Sequence, residues 1–416
     1  MKHVIIGNSA AGIGATEGIR QINRRDAVTV ITNEPHHTYS RPLISYFLLG
    51  KVTEEKMKYR GDNFYEDNNC TMLHGTVTEI DTGMKRAVLA DGTWVPYDKL
   101  LVATGSSAFV PPFKGLETVK DKTTFISLDD AKKLEKLLGP DKRVLIVGAG
   151  LIGLKCAEGI LNRVKHIIVL DAAPRILSSI LDDDGASMVQ NHLEKNGVRF
   201  NLSSGVERFR NNAAVLEGGE IIDFDILVLA AGVRANTSLL TRIAKIESGI
   251  VINEKSETTS PDIYAAGDCT QTLDVSSGRK KIMPLLPNAY MQGECAGINM
   301  AGGNARFEKA IPMNAIGFFG MPIITAGSYN GDVYAENING NYKRLFYSDN
   351  RLNGYILIRG VEKAGIYTNL IRERTMLDTI DFPLVCEKPG LMAFSKKERM
   401  IRLGGARHYE YIGQES

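Results

Sequence analysis

The chain has no apolar run near the roughly 18 residues that span a bilayer, so no transmembrane segment is expected. It has no excess of either charge, with 50 Lys and Arg against 48 Asp and Glu, a formal net charge of +2. No strong field for nucleic acid or a membrane surface follows from that balance. Cysteine is scarce and odd in number: Cys70, Cys156, Cys269, Cys295 and Cys386, with no C-x-x-C and no zinc-ligand spacing. A disulfide framework is not expected, and a reducing compartment fits. Met1 leads at once into the strand-like run Val4-Ile5-Ile6, which leaves no room for a signal peptide. The expected setting is the cytoplasm.

Glycine is plentiful, 41 of 416 residues, against a usual level of about 7%. Many tight turns or close backbone–ligand approaches are implied. The length suggests roughly three structural units.

Two stretches share one grammar. The first runs from Val4-Ile5-Ile6 into Gly7-Asn8-Ser9-Ala10-Ala11-Gly12, a helix-like segment over 13–23, a strand over 28–32 ending at Asn33-Glu34, and a closing Ala103-Thr104-Gly105. The second runs from the strand 143–147 into Gly148-Ala149-Gly150-Leu151-Ile152-Gly153, a helix over 154–164, a strand over 167–170 ending at Asp171, and a closing Ala230-Ala231-Gly232. Such a strand–turn–helix pattern suits a dinucleotide. The first Gly allows the tight turn and the second lets backbone approach a pyrophosphate. The third lets helix and strand pack closely, with the anion at the helix N-terminus. Asp171 stands 23 residues after Gly148, near the usual spacing of about 20 for a carboxylate that accepts from a ribose 2′-hydroxyl and repels a 2′-phosphate. NADH over NADPH follows, with Arg175 either softening that preference or solvated at the surface. The first copy carries Ser9 at the middle Gly position, and its hydroxyl can donate to a phosphate. Glu34 or Asn33 would hold the adenosine ribose there.

The segment 108–115 reads as a Pro- and Gly-punctuated linker. Past about residue 304 the pattern turns to alternating strands, as at 342–347 and 354–358, with a hairpin turn over 348–353 and a helix near 362–374. The expected architecture is α/β: two Rossmann-like dinucleotide-binding domains and a C-terminal α+β domain. The boundaries are 1–110 with 240–304, then 111–239, then 305–416.

The order of the first Gly turn, Ala103-Thr104-Gly105, the second Gly turn and the stretch Thr259 through Asp268 resembles the two-dinucleotide-binding-domain flavoproteins, the FAD-dependent pyridine nucleotide–disulfide oxidoreductases. The resemblance covers residues 1–305 firmly and the remainder loosely. It implies FAD in the first domain, held by Gly7, Ser9, Ala10, Ala11, Gly12, Glu34, Arg41, Pro42, Val77, Ala103, Thr104, Gly105, Gly267, Asp268 and Asn288. Asp268 would orient the ribityl and pyrophosphate region, and Val77 would meet the adenine. NADH would lie on Gly148, Gly150, Leu151, Ile152, Gly153, Asp171, Arg175 and Gly232. The run Pro287 to Gly293 resembles the family's helix start near the isoalloxazine, where a helix N-terminus stabilises negative charge growing on the reduced ring.

The resemblance has two informative departures. Disulfide-reducing members carry a thiol beside the flavin, and Pro42 stands at that position. The run Tyr39-Ser40-Arg41-Pro42 resembles instead the branch that reduces rubredoxin or ferredoxin, and the flavin-containing part of NADH-dependent nitrite reductases. Many ferredoxin-reductase-like relatives also pair a lysine with a glutamate at positions held here by Tyr46 and Lys155. Lys155 is then the cation expected near flavin N5 and the nicotinamide, with Tyr46 beside it, or a solvated lysine of the first helical turn.

The implied activity is transfer of electrons from NADH through FAD to a small carrier such as rubredoxin or ferredoxin. The alternatives are an NADH oxidase or diaphorase using oxygen, and a flavoprotein subunit of a larger redox complex. No nucleic acid, membrane or metal is expected, and a homodimer is allowed. Lys396, Lys397, Arg399, Arg402 and Arg407 form a basic run that either steers an acidic carrier or is a solvated helix face.

Overall fold

The computed structural model describes residues 1–396, 399 and 400; Lys397, Arg402 and Arg407 of the basic run lie outside them. The chain divides into two compact units. One comprises Met1–Asp274, Arg279–Ala310 and Gly317–Met321; the other comprises residues 275–278, 311–316 and the chain from Pro322 onward.

The first unit contains two five-stranded parallel sheets of the same plan. In one, β1 (Lys2–Ile6) pairs with β2 (Ala27–Thr32) on one side and β4 (Lys99–Val102) on the other, while β3 (Cys70–His74) flanks β2. In the other, β6 (Arg143–Val147) lies between β7 (His166–Leu170) and β9 (Ile226–Leu229), with β8 (Val198–Asn201) beyond β7. The fifth place differs in origin. β5 (Lys122–Thr124), which precedes β6 in the chain, fills it in the second sheet, and β10 (Ile263–Ala265), which arrives late, fills it in the first. The central strands are buried on both faces, as in Val144, Leu145 and Ile146, so they read as continuous apolar runs rather than alternating ones.

Register brings the carboxyl ends of these strands into one row. Ile6 pairs with Ile31 and Val102, and Val102 pairs with Ala265. Val147 pairs with Leu170 and Leu229. Each central strand therefore delivers its Gly turn at the point where strand order reverses, the place where open α/β sheets bind ligands.

The helix after β1, α1, spans Ala10–Ile22 and starts three residues before the expected Ile13. Extended Ser9 is its N-cap, and Ile13 N–H donates to the Ser9 carbonyl at 3.0 Å. Gly12 thus lies within the first turn, where the sequence pattern placed loop. The corresponding α3 (Leu151–Ile160) also begins earlier than the expected 154, capped by Gly150, and ends in a 3-10 turn over Leu161–Arg163. Between them α2 (Ile44–Leu48) packs on α3, with Gly159 facing the Ser45 carbonyl. Further on are α4 (Asp183–Lys195) and α5 (Leu286–Met300).

α1 and α5 meet backbone to backbone. A Cβ on Gly14 would stand 2.3 Å from the Tyr290 carbonyl oxygen, and one on Gly297 would stand 2.1 Å from that of Ala15. The stretch 108–115 is not a loose linker. Ser106–Ala108 forms an antiparallel ribbon with Val233–Ala235, and Phe113 packs edge-on against Phe209 at 5.5 Å.

The second unit is built on a five-stranded sheet in the order β11 (Met313–Phe318), β12 (Met321–Gly327), β15 (Arg351–Ile358), β14 (Asn341–Ser348), β13 (Asp332–Ile338). The β14–β15 turn is Asp349-Asn350, both at positive φ. That two-residue geometry matches the twist of paired strands, so the strands run further toward each other than expected. α6 (Ala364–Arg372) covers the sheet through Tyr367, Leu370 and Ile371, and the buried Tyr355 and Thr368 hydroxyls bond at 2.7 Å.

Candidate functional site

Both Gly turns are close-packed where the pattern demands it and open where a ligand would lie. Gly7 and Gly148 adopt φ of +122° and +119°, and a Cβ on either would strike a neighbouring carbonyl oxygen at 2.1 and 2.2 Å. The last glycines, Gly12 and Gly153, press against the Gly7 and Gly148 carbonyl oxygens, at 2.0 and 1.9 Å from a built Cβ. A Cβ on the middle Gly150 meets nothing within 4 Å. That free space is what a pyrophosphate needs, and it explains why Ser9 is tolerated at the matching place in the first turn. The Ser9 hydroxyl makes no capping bond, and neither α1 nor α3 has an acidic residue in its first turn. The positive ends of both helices are therefore left for an anion. Ala10 and Ala11 are buried beneath the first turn, and Leu151 and Ile152 open α3 half-buried.

At the end of β7, Asp171 accepts from the Ala149 N–H at 2.6 Å and the Ala173 N–H at 2.8 Å. These bonds hold the carboxylate beside the second turn, where a ribose would reach it. Arg175 pairs with Asp183 of α4 at 2.8 Å, and its buried Nε has no hydrogen-bond partner. Gly232 sits at φ +106° in open space.

In the first site Glu34 accepts from the Tyr39 hydroxyl at 2.8 Å and from Arg41, which also donates to the Ile126 carbonyl at 3.3 Å. The residue expected for the ribose and the one expected for phosphate or adenosine are thus joined, and a ribose at Glu34 would share its oxygens with Arg41. Pro42 lies in the 3-10 turn Arg41–Leu43, and its carbonyl accepts from the Ser45 hydroxyl at 3.4 Å. Val77 is buried at the start of a small antiparallel sheet.

Gly105 and Gly267 both take positive φ, and the Gly267 N–H donates to the buried Gln292 side chain at 2.8 Å. That bond fastens the Gly267-Asp268 turn to α5, which opens with Pro287 and buried Asn288 and has no acidic residue in its first turn. Burial pushes the Asp268 carboxyl up; the Ser106 hydroxyl, donating at 3.3 Å, and the Arg41 charge oppose it. Ala103 follows β4, while Thr104 donates to the Asn236 carbonyl at 2.7 Å and accepts from the Asn236 side chain at 2.9 Å.

Lys155 and Tyr46 meet: the ammonium lies 4.7 Å from the Tyr46 ring centroid. All five cysteines are free. Burial raises their thiol pKa values, that of Cys269 to about 11, so none is primed as a nucleophile. No cluster of metal-ligating side chains occurs among the described residues.

The sequence profile of the pyridine nucleotide-disulphide oxidoreductases matches residues 1–293. The chain belongs to that family. Among its relatives, subunit epsilon of the NADH-dependent phenylglyoxylate dehydrogenase of Aromatoleum evansii is 30% identical over 391 residues, 90% of this chain and 92% of that one. An NADH oxidase of Methanocaldococcus jannaschii is 35% identical, covering 75% of this chain and 72% of that one. A rubredoxin-NAD(+) reductase of Pseudomonas putida is 29% identical, covering 73% and 80%. In fold, the chain is similar to the covalent putidaredoxin reductase–putidaredoxin complex structure, with a TM-score of 0.86 and 22% identity over 97% of this chain and 99% of that one. The chain is an NADH-dependent flavoprotein oxidoreductase with FAD and NADH as its cofactors, and the two Gly turns, the free helix ends and the buried Asp268 fit them.

The sequence pattern overlooked three members of this arrangement. Asn236 and Gln292 act through side-chain bonds to backbone far away in the chain; Asn236 stands in no motif, and Gln292 lies in the run 287–293 without a role of its own there. Glu158, on the same helix as Lys155, is the third.

Proposed function

We propose that this chain passes electrons from NADH to a small redox protein, a rubredoxin or ferredoxin, with no sulfur relay. The observation behind the choice is chemical: Pro42, at the position where the family resemblance implies a relay thiol, lies in the turn Arg41–Leu43, and every cysteine is free, with burial pushing its thiol pKa up. Bound FAD supplies the two-electron acceptance and stepwise electron release that such a transfer needs.

The residues of the chain bind, orient and tune. In this reading the first turns of α1 and α3 hold the two pyrophosphates, and Asp171 selects NADH by its negative charge. Asp268, fixed by Gln292 through the neighbouring Gly267, orients the ribityl chain. Lys155 faces the flavin, where a positive charge favours the reduced, anionic ring. The relative that reduces rubredoxin supports this reading.

The test is rapid mixing without oxygen. NADH bleaches the flavin within a turnover time, and added rubredoxin or ferredoxin reoxidises it much faster than dissolved oxygen does. Reoxidation fastest with oxygen would instead favour the oxidase reading, which the Methanocaldococcus relative supports. Reoxidation by neither would favour a subunit that works only in its complex, as the name of the Aromatoleum relative suggests.

A further inference from the structure

We propose that Glu158 is the positioning residue for Lys155, and that the hairpin turn Gly317–Met321 closes around the pair to fix where that cation stands. The inference rests on the reading that Lys155 faces the flavin, and adds what holds it there.

Lys155 and Glu158 lie one turn apart on α3 and form an ion pair in which both side chains are largely shielded from solvent, 17% and 9% exposed. The Lys155 ammonium also donates to the Gly317 carbonyl at 3.1 Å and lies over the rings of Tyr46 and Phe318, 4.7 and 5.5 Å from their centroids. The other Glu158 oxygen accepts the Phe319 N–H at 2.7 Å. Glu158 thus binds the lysine with one oxygen and the turn with the other.

The turn itself is over-determined. Phe319 adopts φ +45°, uncommon for a bulky side chain, and Gly320 follows at φ +82°. Strained backbone of this kind persists where its surroundings fix it. Here they do so from two helices: Glu158 of α3 takes the Phe319 N–H, and His192 Nε2 of α4 lies 3.1 and 3.3 Å from the Phe318 and Phe319 carbonyl oxygens. Both atoms facing Nε2 are acceptors, so it carries the proton. A flexible lysine is thereby reduced to one location, walled by two aromatic rings and two oxygen acceptors. An electrostatic contribution depends on such fixed placement rather than on charge alone.

The test uses the FAD-loaded full chain and reads the midpoint potential of the bound flavin by anaerobic dye-coupled titration, with melting temperature as a fold control. Glu158→Gln and Glu158→Ala remove the same charge, but only the glutamine keeps acceptor and donor atoms at the lysine and the turn. The alanine variant is expected to hold the lower potential, by about tenfold in the two-electron equilibrium constant, which is about 30 mV. The difference is expected to vanish when Lys155→Met is added to both. Equal potentials for the two variants, while Lys155→Met alone still lowers the potential, would overturn the positioning role and leave the lysine reading intact. No change on Lys155→Met would remove the lysine reading and this inference with it. If Glu158→Ala does not fold, Glu158→Asp asks the same question, since it keeps the charge and shortens the reach. A potential below that of the native protein supports the role, and an equal one overturns it.

Discussion

Gly293 of α5 faces the carbonyl oxygen of Ala11 on α1 so closely that a Cβ would stand 2.0 Å from it. Nothing at that distance is a flexible side-chain end; both partners are helix backbone. The contact repeats along the pair through Gly14, Gly18 and Gly297. It sets α5, and with it Gln292 and the Gly267-Asp268 turn, against the first Gly turn. Gly293→Ala is therefore expected to destabilise the protein by about 1–3 kcal/mol, the usual range for overpacking, and to weaken FAD retention. Thermal melting and the flavin-to-protein absorbance ratio after dialysis check both. Full flavin retention together with an unchanged melting temperature would contradict the packing argument.

The ends of the second sheet are tied by one charged pair. Asp225 accepts from the Arg143 N–H at 2.7 Å and from its guanidinium at 3.0 and 3.1 Å. The Arg143 guanidinium holds the Asp225 carboxyl down at about 2, below its ordinary value of 3.8. A depressed carboxyl stabilises the fold in full above the ordinary value and loses that contribution as pH falls toward 2. Asp225→Asn should cost about 1–3 kcal/mol at neutral pH, as for hydrogen bonds to a charged group. The gap between native and variant melting temperatures should close between about pH 4 and pH 2. A gap constant across that range would show that the charge is not responsible.

Much of this arrangement was legible because its parts are local. Gly7 to Gly12 and Gly148 to Gly153 carry their meaning in spacing, and Asp171 and Asp268 each follow a strand at a fixed offset. The resemblance they carry also implies an order for the two cofactors. Both helices start three residues before the expected positions because Ser9 and Gly150, their caps, lie inside the Gly patterns. The α1–α5 contact has its own signal in the sequence: glycines four apart at 14 and 18 and again at 293 and 297. Glycine weakens a helix by about 1 kcal/mol relative to alanine, so such pairs imply close backbone approach. Glu158 and Asn236 have no comparable signal. Their partners or surroundings come from distant segments, and only folding assembles them.

Asn236 joins the ribbon that links the two nucleotide-binding sheets. Its side chain donates to the Thr104 carbonyl at 2.9 Å and accepts from the Ser107 hydroxyl at 2.8 Å. Asn236→Ala leaves the backbone bonds to Thr104 and Gly105 in place but frees the crossing point of the ribbon. Misplacement by about 1 Å costs up to about a hundredfold in rate. The expected outcome is flavin bleaching by NADH slowed about tenfold, with a smaller change in KM, measured by stopped-flow absorbance. An unchanged bleaching rate would confine Asn236 to stability.

The coenzyme argument turns on Asp171. Its carboxylate is fixed by two backbone N–H groups, from Ala149 in the Gly turn and Ala173 just beyond the strand. In the proposed reading, removing it costs the ribose its acceptor, and it leaves the Ala149 N–H without its partner. The charge that would oppose a 2′-phosphate goes as well, and Arg175, 36% exposed and paired with the well-exposed Asp183, lies four residues on. Asp171→Ala should raise the KM for NADH by about ten- to hundredfold, the equivalent of one charge-assisted hydrogen bond, and should narrow the ratio of kcat/KM between NADH and NADPH. Adding Arg175→Ala should widen that ratio again if the arginine takes up the phosphate. Steady-state kinetics with both coenzymes decide the matter: a ratio unmoved by Asp171→Ala would mean that the preference is set elsewhere in the second site.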